Sequence, residues 1–392
     1  MSRFDINVPT VFGCGTVNQV GEEAKNLGIS RALLVHGPVL PEQHVQKVRN
    51  SLKAAGIEFA EYDGVAQDVP DYTINEAIAV VRDFGGINGL IGIGGGSTMD
   101  TTAVVNMMLN NPPPVSQYFI CNGGLPENKG YPYIQIPTTS GTGAESTMAA
   151  VVYDTSVNLK RPLFNKQCLL ASLAIVDPEL TLTLPPEITA WTGYDAFAHA
   201  FESFTTNWGT MSPASDAMNK EAMRLIINYL PLVIANPDNI SYREKMAYGA
   251  TLAGIGTANG RAQKGHCFGH AIGSRTHAPH GVCVASALAL VAEHTAPWRY
   301  ERCAFVAGMF GINVYNGMPG EELGTALYNA LRKFEKDVGV PSIKTFGATR
   351  GKVMNALDLM VQDVLFRNNE AVMSEEKASI YLARICDYYG LE

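Results

Sequence analysis

The hydrophobic positions in the first half of the chain alternate between two spacings. Residues 31–36 form a short apolar run typical of a strand, whereas Val45, Val48 and Leu52 recur at helical spacing within residues 42–55. The further predicted elements are a strand at 58–62, a helix at 72–84 and a buried strand at 89–93. This order of strands and helices favours a parallel sheet that helices cover on both faces.

The pattern changes after Leu184-Pro185-Pro186. The later segments are long and helical in period, and they are residues 188–203, 214–229, 242–258 and 321–338. At 392 residues the chain is long enough for two hydrophobic cores. We therefore predict an α/β domain with a parallel sheet over residues 1–184 and an all-α domain over residues 185–392.

Composition and charge exclude several classes of protein. The net charge is -8 and no run of lysine and arginine occurs, so we expect no nucleic-acid partner. The N-terminal residues are polar, with no apolar signal segment after them, and no apolar run reaches the roughly 18 residues that span a bilayer. The seven cysteines include no CxxC pair. They indicate reduced thiols in a soluble, cytoplasmic protein without a membrane partner.

Two loops in the first half suit a phosphate-containing ligand. The strand at 89–93 runs into Gly94-Gly95-Gly96-Ser97, and a helix is predicted at 98–109. Glycines let the backbone approach an anion, and the N-terminus of a helix attracts one. Such turns also occur for steric reasons, and this one is not the usual GxGxxG. The loop at 136–145 adds four hydroxyls and two glycines, which suit a ribose and a diphosphate.

Histidines are concentrated in one segment of the second half. Residues 266–280 contain four of the eight histidines of the chain: His266, His270, His277 and His280. Asp195 and His199 are four residues apart and so share one face of a predicted helix. One carboxylate and three imidazoles would bind a divalent metal and leave room for a substrate oxygen. A non-catalytic scaffold stabilised by a metal is an alternative, but it leaves the two loops unexplained.

Six motifs, taken in chain order, resemble the iron-containing alcohol dehydrogenase family, and the resemblance covers most of the chain. The motifs are Gly94-Gly95-Gly96-Ser97-x-x-Asp100, Pro137-Thr138-Thr139-x-Gly141-Thr142-Gly143-x-Glu145, Asp177-Pro178-Glu179-Leu180, Asp195-Ala196-x-x-His199, His266-x-x-x-His270 and Pro279-His280-Gly281. The resemblance implies a homodimer that interconverts aldehydes and alcohols with a nicotinamide cofactor.

The resemblance also implies roles for individual residues. The metal ligands would be Asp195, His199, His266 and His280, usually with Fe²⁺, although zinc occurs in relatives. His270 would pass a proton to the product alkoxide, and His277 is a second candidate for that role. The metal would polarise the aldehyde carbonyl and the nicotinamide would supply the hydride.

In the cofactor-binding half, the turn at 94–97 would hold the pyrophosphate. By the same resemblance, the other cofactor-binding candidates are Asp100, Thr138, Thr139, Thr142 and Lys160. Lys160 is in the position of a family lysine that reaches the nicotinamide ribose, and a surface lysine is the alternative. Many NAD-preferring relatives have an aspartate soon after the first strand, where this chain has Gly37-Pro38. Neither repulsion nor attraction of the 2′-phosphate of NADP is therefore strong, and we expect NAD(H) with some use of NADP(H).

The segment before His266 departs from the family, because many relatives have apolar residues there. It carries Arg261, Gln263 and Lys264, whose donors suit a carboxylate, phosphonate or sulfonate. We therefore expect a short aldehyde with an anionic tail, such as sulfoacetaldehyde (the first choice), phosphonoacetaldehyde or succinic semialdehyde. The alternatives are that Arg261 or Lys264 pairs with a protein carboxylate or faces solvent, that the substrates are neutral aldehydes or diols, or that the protein is a metal-dependent lyase of the dehydroquinate synthase type.

Overall fold

The chain forms two compact units. The computed structural model describes residues 4–6, 8–206, 212–367 and 371–392. The sheet unit comprises Ile6–Leu184 and Asp238–Ala247, and the helical unit comprises Met1–Asp5, Pro185–Pro237 and Tyr248–Glu392. The sequence-based division at residue 184 does not foresee that Asp238–Ala247 group with the sheet unit, because a unit is defined by contacts rather than by chain order.

A six-stranded parallel sheet forms the centre of the sheet unit. Its strands are β1 (Thr10–Phe12), β2 (Arg31–Val35), β3 (Glu58–Tyr62), β4 (Gly89–Gly94), β5 (Tyr133–Pro137) and β8 (Leu173–Val176). The spatial order is β1-β8-β5-β4-β2-β3, and every pairing is parallel. The helices of this unit are α1 (Val20–Asn26), α2 (Glu42–Ala54), α3 (Asp71–Asp83) and α4 (Gly96–Met108).

Helices cover both faces of this sheet, as the alternating pattern predicts. Leu33 of β2 packs in one core cluster with residues of α3 and α4, whereas its neighbour Leu34 packs in another with residues of α1 and α2. Successive side chains of a strand point to opposite faces, so a strand buried on both sides is apolar throughout. The predicted α/β class is confirmed.

The sheet unit also contains a hairpin that the sequence analysis missed. Strands β6 (Ala149–Asp154) and β7 (Leu159–Phe164) pair antiparallel. Lys160, Arg161 and Pro162 lie within β7, and lysine and proline are residue types that strands disfavour. Strands β1 and β8 were also missed, because they have three and four residues, too few to show a period.

The motif Asp177-Pro178-Glu179-Leu180 has a structural explanation. The Asp177 carboxylate is buried and accepts hydrogen bonds from the backbone N–H groups of Gly15 and Val17, each at 3.1 Å, and of Glu179 at 3.0 Å. These N–H groups begin two short 3₁₀ turns, at Thr16–Gln19 and Pro178–Thr181. Asp177 thus caps two turns at once, which fixes the N-terminal segment against the end of β8.

All described elements after residue 184 are helical. They are α5 (Pro186–Thr205), α6 (Pro213–Ala235), α7 (Ile240–Gly260), α8 (Lys264–Thr276), α9 (His280–Thr295), α10 (Tyr300–Met309), α11 (Gly320–Asp337), α12 (Arg350–Met354), α13 (Leu357–Gln362) and α14 (Glu375–Tyr389). The predicted helical region is confirmed. Within the described residues, no helix is both long enough and apolar enough to span a membrane.

Helices α8 and α9 pack against each other in the core of the helical unit. Phe268 and Ile272 of α8 share a buried cluster with Val282 and Leu290 of α9. Pro279 is the N-cap of α9 and so separates the two helices. The short connection brings the first residue of α9 back towards α8.

Candidate metal and nucleotide sites

Helix α5 presents three titratable side chains along one face. Asp195, His199 and Glu202 are four and then three residues apart, which is the spacing of neighbours on a helix surface. Asp195 and Glu202 are buried and His199 is mostly so. Pro186 opens the helix in its first turn, where the missing N–H costs no hydrogen bond.

Helices α8 and α9 supply the imidazoles opposite α5. His266 and His270 lie one turn apart on α8, and His280 is the first residue of α9. Gly281 follows it, and a Cβ there would meet the Trp191 carbonyl oxygen at 2.4 Å. Only glycine therefore lets α9 start so close to α5, which explains the glycine of the Pro279-His280-Gly281 motif.

Asp195 lies at the centre of this cluster. Its Oδ1 is 3.6 Å from Nε2 of His266 and 3.8 Å from Nε2 of His280, and its Oδ2 is 3.9 Å from Nδ1 of His199. Ligand atoms of Asp195, His199 and His266 all lie within 4.8 Å of one another. The ring centroids of His266 and His280 are 5.4 Å apart. The structure thus brings together the four residues that the resemblance implies as ligands.

The polar atoms that face this cluster fit a cation. Asp195 Oδ1, His199 Nδ1 and His266 Nε2 are buried and have no hydrogen-bond partner among the described residues. Burial raises the pKa of Asp195 to about 6 and lowers the pKa of His199 well below its ordinary value. A divalent ion would satisfy all three atoms, and carboxylate plus imidazole donors suit Fe²⁺ or Zn²⁺.

Two carboxylates behind the histidines were missed by sequence reasoning. Glu202 Oε2 lies 2.5 Å from Nδ1 of His266, and Asp363 Oδ2 lies 3.0 Å from Nδ1 of His270. Burial alone would raise the pKa of Asp363, but the His270 ring beside it lowers that pKa below its usual value. Glu202 could have been found three residues after His199, whereas nothing in the sequence links Asp363 to α8.

The two other histidines of residues 266–280, His270 and His277, differ in exposure. His277 is exposed and caps the end of α8 with a left-handed φ of 57°. His270 is partly buried, and its ring centroid lies 5.5 Å from that of His280. His270 is therefore placed beside the metal cluster, and the role of His277 stays a prediction.

In the sheet unit, the turn at 94–97 and the threonine loop (residues 136–145) lie against each other. The Thr138 N–H donates to the Gly94 carbonyl at 2.8 Å. A Cβ on Gly96 would approach Thr142 Cγ2 to 2.8 Å, whereas a Cβ on Gly95 would meet Thr139 Cγ2 at 3.4 Å. Gly95 is the N-cap of α4, whose first N–H groups have no acceptor within the helix. The paired loops therefore form a surface suited to a diphosphate.

Two predicted cofactor residues are engaged inside the sheet unit. Asp100 accepts the backbone N–H of Val151 at 2.9 Å, and burial raises the pKa of Asp100 to about 7. The Lys160 side chain is only 4% exposed, and its Nζ lies 2.8 Å from Asp68 Oδ1. Both side chains have protein partners, so their contacts with a cofactor stay predictions. Ser97 lies in the first turn of α4.

The predicted substrate residues lie between α7 and α8. Arg261 directly follows α7 with a left-handed φ of 68° and is half-buried, and burial lowers its pKa. Gln263 donates its amide to Thr205 Oγ1 at 3.3 Å and also to the Glu202 carbonyl. Lys264 is only 1% exposed, and burial lowers its pKa to about 8 although the Glu202 charge opposes the shift. The Gln263 amide thus donates hydrogen bonds within the protein, whereas the sequence predicts that it contacts the substrate.

The parallel sheet with its glycine-rich turn, and the buried cluster of a carboxylate and imidazoles, fit the class of metal-dependent dehydrogenases. The chain matches the family model for iron-containing alcohol dehydrogenase over residues 8–178 and the model for the C-terminal part of the Fe-containing alcohol dehydrogenase family over residues 189–385. The chain therefore belongs to the iron-containing alcohol dehydrogenase family. It is an oxidoreductase that acts on alcohols, and the family implies a metal and NAD(H).

Individual relatives agree on the family but differ in substrate. A choline dehydrogenase of Bacillus subtilis is 34% identical over 89% of this chain and 87% of its own length. A sulfoacetaldehyde reductase of Bilophila wadsworthia is 38% identical over 70% of each chain. The solved alcohol dehydrogenase from Oenococcus oeni is 28% identical, covers 98% of this chain and 100% of its own, and superimposes with a TM-score of 0.90.

Proposed function

We propose that this protein is an iron-dependent, NAD(H)-linked reductase of a short aldehyde with an anionic tail. The observation that carries the proposal is the position of two cations, Arg261 and Lys264, directly before His266. His266 is one of the three residues whose unpartnered polar atoms converge on the candidate metal site. Sulfoacetaldehyde is the first choice of substrate.

Four residues of the helical unit would hold the metal: Asp195, His199, His266 and His280. When bound, the metal supplies a Lewis acid for the carbonyl oxygen and the nicotinamide supplies the hydride. His270 protonates the resulting alkoxide, because it lies beside this cluster and its other nitrogen is held by Asp363 at 3.0 Å. Asp363 orients the ring through this contact.

The cofactor would bind to the sheet unit through the turn at 94–97 and the threonine loop. Gly37 lies two residues after Val35, the end of β2, and places no charge there. A Cβ at Gly37 would lie 3.7 Å from the Val65 carbonyl oxygen, an ordinary contact, so the protein itself does not require a glycine at this position. A residue without a carboxylate at position 37 supports NAD(H) with some use of NADP(H), rather than strict selection of one cofactor.

The names of the relatives do not decide the substrate, because choline is a cation and sulfoacetaldehyde is an anion. The charges of this chain support the anion. Lys264 is buried in the first turn of α8, where the helix dipole disfavours a cation and favours an anion. The planar guanidinium of Arg261 matches the oxygens of a sulfonate or carboxylate. The Gln263 amide donates to Thr205 and to the Glu202 carbonyl, so we assign it no contact with the substrate.

Replacing Arg261 tests the anionic tail. We expect Arg261→Ala to lower kcat/KM for sulfoacetaldehyde at least about tenfold, because losing one charged contact costs roughly 2–5 kcal/mol when its partner stays buried. Propanal reduction should hardly change. Steady-state assays are run without oxygen on Fe²⁺-loaded and Zn²⁺-loaded enzyme, with NADH and NADPH.

Arg275→Ala is the matched control. Arg275 is also an arginine, but it lies in the last turn of α8, away from Arg261, and pairs with Asp358. Equal losses on both aldehydes in the Arg261 variant would reject the anionic tail. A parent enzyme that prefers butanal to every anionic aldehyde tested would also reject it.

Reduction of neutral aldehydes or diols is a second candidate, favoured by the Glu202 charge that acts on Lys264. The same substrate panel separates the two candidates. Stoichiometric oxidation of NADH to NAD⁺ would exclude a lyase of the dehydroquinate synthase type. Assembly as a homodimer and a cytoplasmic location stay predictions, and light scattering tests the first.

A further inference from the structure

Glu202 is a fully buried carboxylate that no part of the proposed reaction uses directly. It lies on α5, one turn beyond His199, and its exposure is 0%. It accepts the backbone N–H of Gln263 at 3.0 Å and also that of Gly265, and its Oε2 lies 2.5 Å from Nδ1 of His266. A buried charge of this kind is costly unless several donors surround it.

The contact with His266 sets the state of the imidazole. A carboxylate accepts hydrogen bonds, so the ring proton lies on Nδ1 and the lone pair lies on Nε2. His266 Nε2 is the atom that lies 3.6 Å from Asp195 Oδ1 and has no hydrogen-bond partner within the described residues. The lone pair therefore faces the candidate metal site.

The backbone contacts set the position of the same ring. Gln263 is the N-cap of α8, and Gly265 and His266 lie in its first turn. A Cβ on Gly265 would meet Glu202 Oε1 at 2.5 Å, so the helix start approaches the carboxylate as closely as a glycine allows. One side chain thus fixes the start of α8 and the orientation of the ligand that this helix carries.

We propose that Glu202 is a positioning residue for the metal: it holds His266 in the Nδ1–H tautomer and aims Nε2 at the ion. The proposal rests on the metal site of the proposed function. Outer carboxylates of this kind orient histidine ligands and raise their basicity, and losing one lowers metal affinity about 10–100-fold.

Glu202→Gln changes the contact with His266 and keeps part of the helix cap. A glutamine oxygen at the Oε1 position still accepts the Gly265 N–H, whereas the Gln263 N–H, which donates to Oε2 in the parent, loses its acceptor. The amide nitrogen then faces Nδ1 of His266 and donates to it, which moves the ring proton to Nε2. We expect the dissociation constant for Zn²⁺, measured by competition with a chelator, to rise about 10–100-fold.

Glu335→Gln is the control variant. Glu335 is also a buried carboxylate of the helical unit, but it pairs with Arg332 and Tyr389 and not with the histidines. We expect this variant to lose stability and to keep the Zn²⁺ affinity of the parent. Equal affinity losses in both variants would mean that general destabilisation, rather than Glu202, weakens the site.

A second measurement does not depend on the folding of Glu202→Gln. With ¹⁵N-labelled histidine, at a pH where the His266 ring carries a single proton, the metal-free parent should show that proton on Nδ1, and His266→Ala assigns the signal. An Nε2–H tautomer, or parental Zn²⁺ affinity in Glu202→Gln, would overturn the proposal. If the parent binds neither Fe²⁺ nor Zn²⁺, the proposed function fails as well; if it binds either ion and the variant matches it, only the role of Glu202 fails.

Discussion

Asp195 contributes both carboxylate oxygens to the candidate metal site. Oδ1 lies near His266 and His280, and Oδ2 lies near His199, so one residue contacts all three imidazoles. Burial raises the pKa of this carboxyl to about 6, because removal from water destabilises the charged form, and the His266 charge opposes the shift. A bound metal would stabilise the same carboxylate charge.

At this residue scale we predict that His280→Ala removes one bound metal per chain and nearly all reductase activity. His280 starts α9 and is partly exposed, so its truncation leaves no large cavity. Metal content is measured by mass spectrometry, and NADH binding reports whether the sheet unit is intact. Full activity of the parent after exhaustive metal removal would contradict the prediction.

A second residue-scale prediction concerns Glu145 in the threonine loop. Glu145 is buried, and burial raises its pKa from 4.5 to about 7. The folded state therefore binds more protons than the unfolded state between these values, and stability falls as pH rises through this window, by at most about 1.4 kcal/mol per pH unit. Glu145→Gln does not titrate, so its stability should fall less between pH 5 and pH 8.

Urea denaturation at four pH values measures this difference. Glu22→Gln, at an exposed carboxylate of α1, controls for the loss of one negative charge. Parallel pH profiles for the parent and the Glu145 variant would show that the buried carboxyl does not titrate as described.

At the element scale, β4 and α4 form a strand, turn and helix in which each glycine has a different neighbour. A Cβ on Gly94 would meet Thr98 Oγ1 at 2.2 Å and a Cβ on Gly96 would meet Thr142 Cγ2 at 2.8 Å. These two glycines are required by packing within the protein. Gly95 has ordinary space beside Thr139, so a side chain there tests the ligand rather than the fold.

We predict that Gly95→Val weakens NADH binding by more than tenfold and leaves metal content unchanged, because backbone must approach the pyrophosphate at this turn. Gly95→Ala should have a smaller effect in the same direction. Fluorescence titration with NADH measures both variants. Tight NADH binding by the valine variant, equal to that of the parent, would place the phosphates elsewhere.

At the scale of the whole molecule, our proposals assign the metal to the helical unit and the nicotinamide cofactor to the sheet unit. We predict that Zn²⁺ added to metal-free protein slows hydrogen exchange of amides in α5, α8 and α9, and that NADH slows exchange in α4 and the threonine loop. A ligand that binds only the native state stabilises it, and local opening becomes rarer there. Mass spectrometry of peptides locates the protected amides, and protection by Zn²⁺ confined to the sheet unit would reject the assigned metal site.

Much of this protein could be predicted from the sequence, because the relevant signals are local. A buried parallel strand is apolar throughout and a helix repeats every 3.6 residues, so β2, β4 and α5 were predicted with small errors at their ends. Spacing alone placed Asp195 beside His199 and His266 beside His270. The hairpin β6–β7 escaped prediction because its second strand contains lysine and proline.

The tertiary structure decided the remaining features, because they depend on contacts between residues far apart in the chain. Glu202 reaches His266 across 64 positions and Asp363 reaches His270 across 93. The sequence determined the residue types that can bind a metal and the helices that carry them. Which nitrogen of His266 faces the candidate metal site, and which groups accept the amide of Gln263, follow only from the packing of α8 against α5.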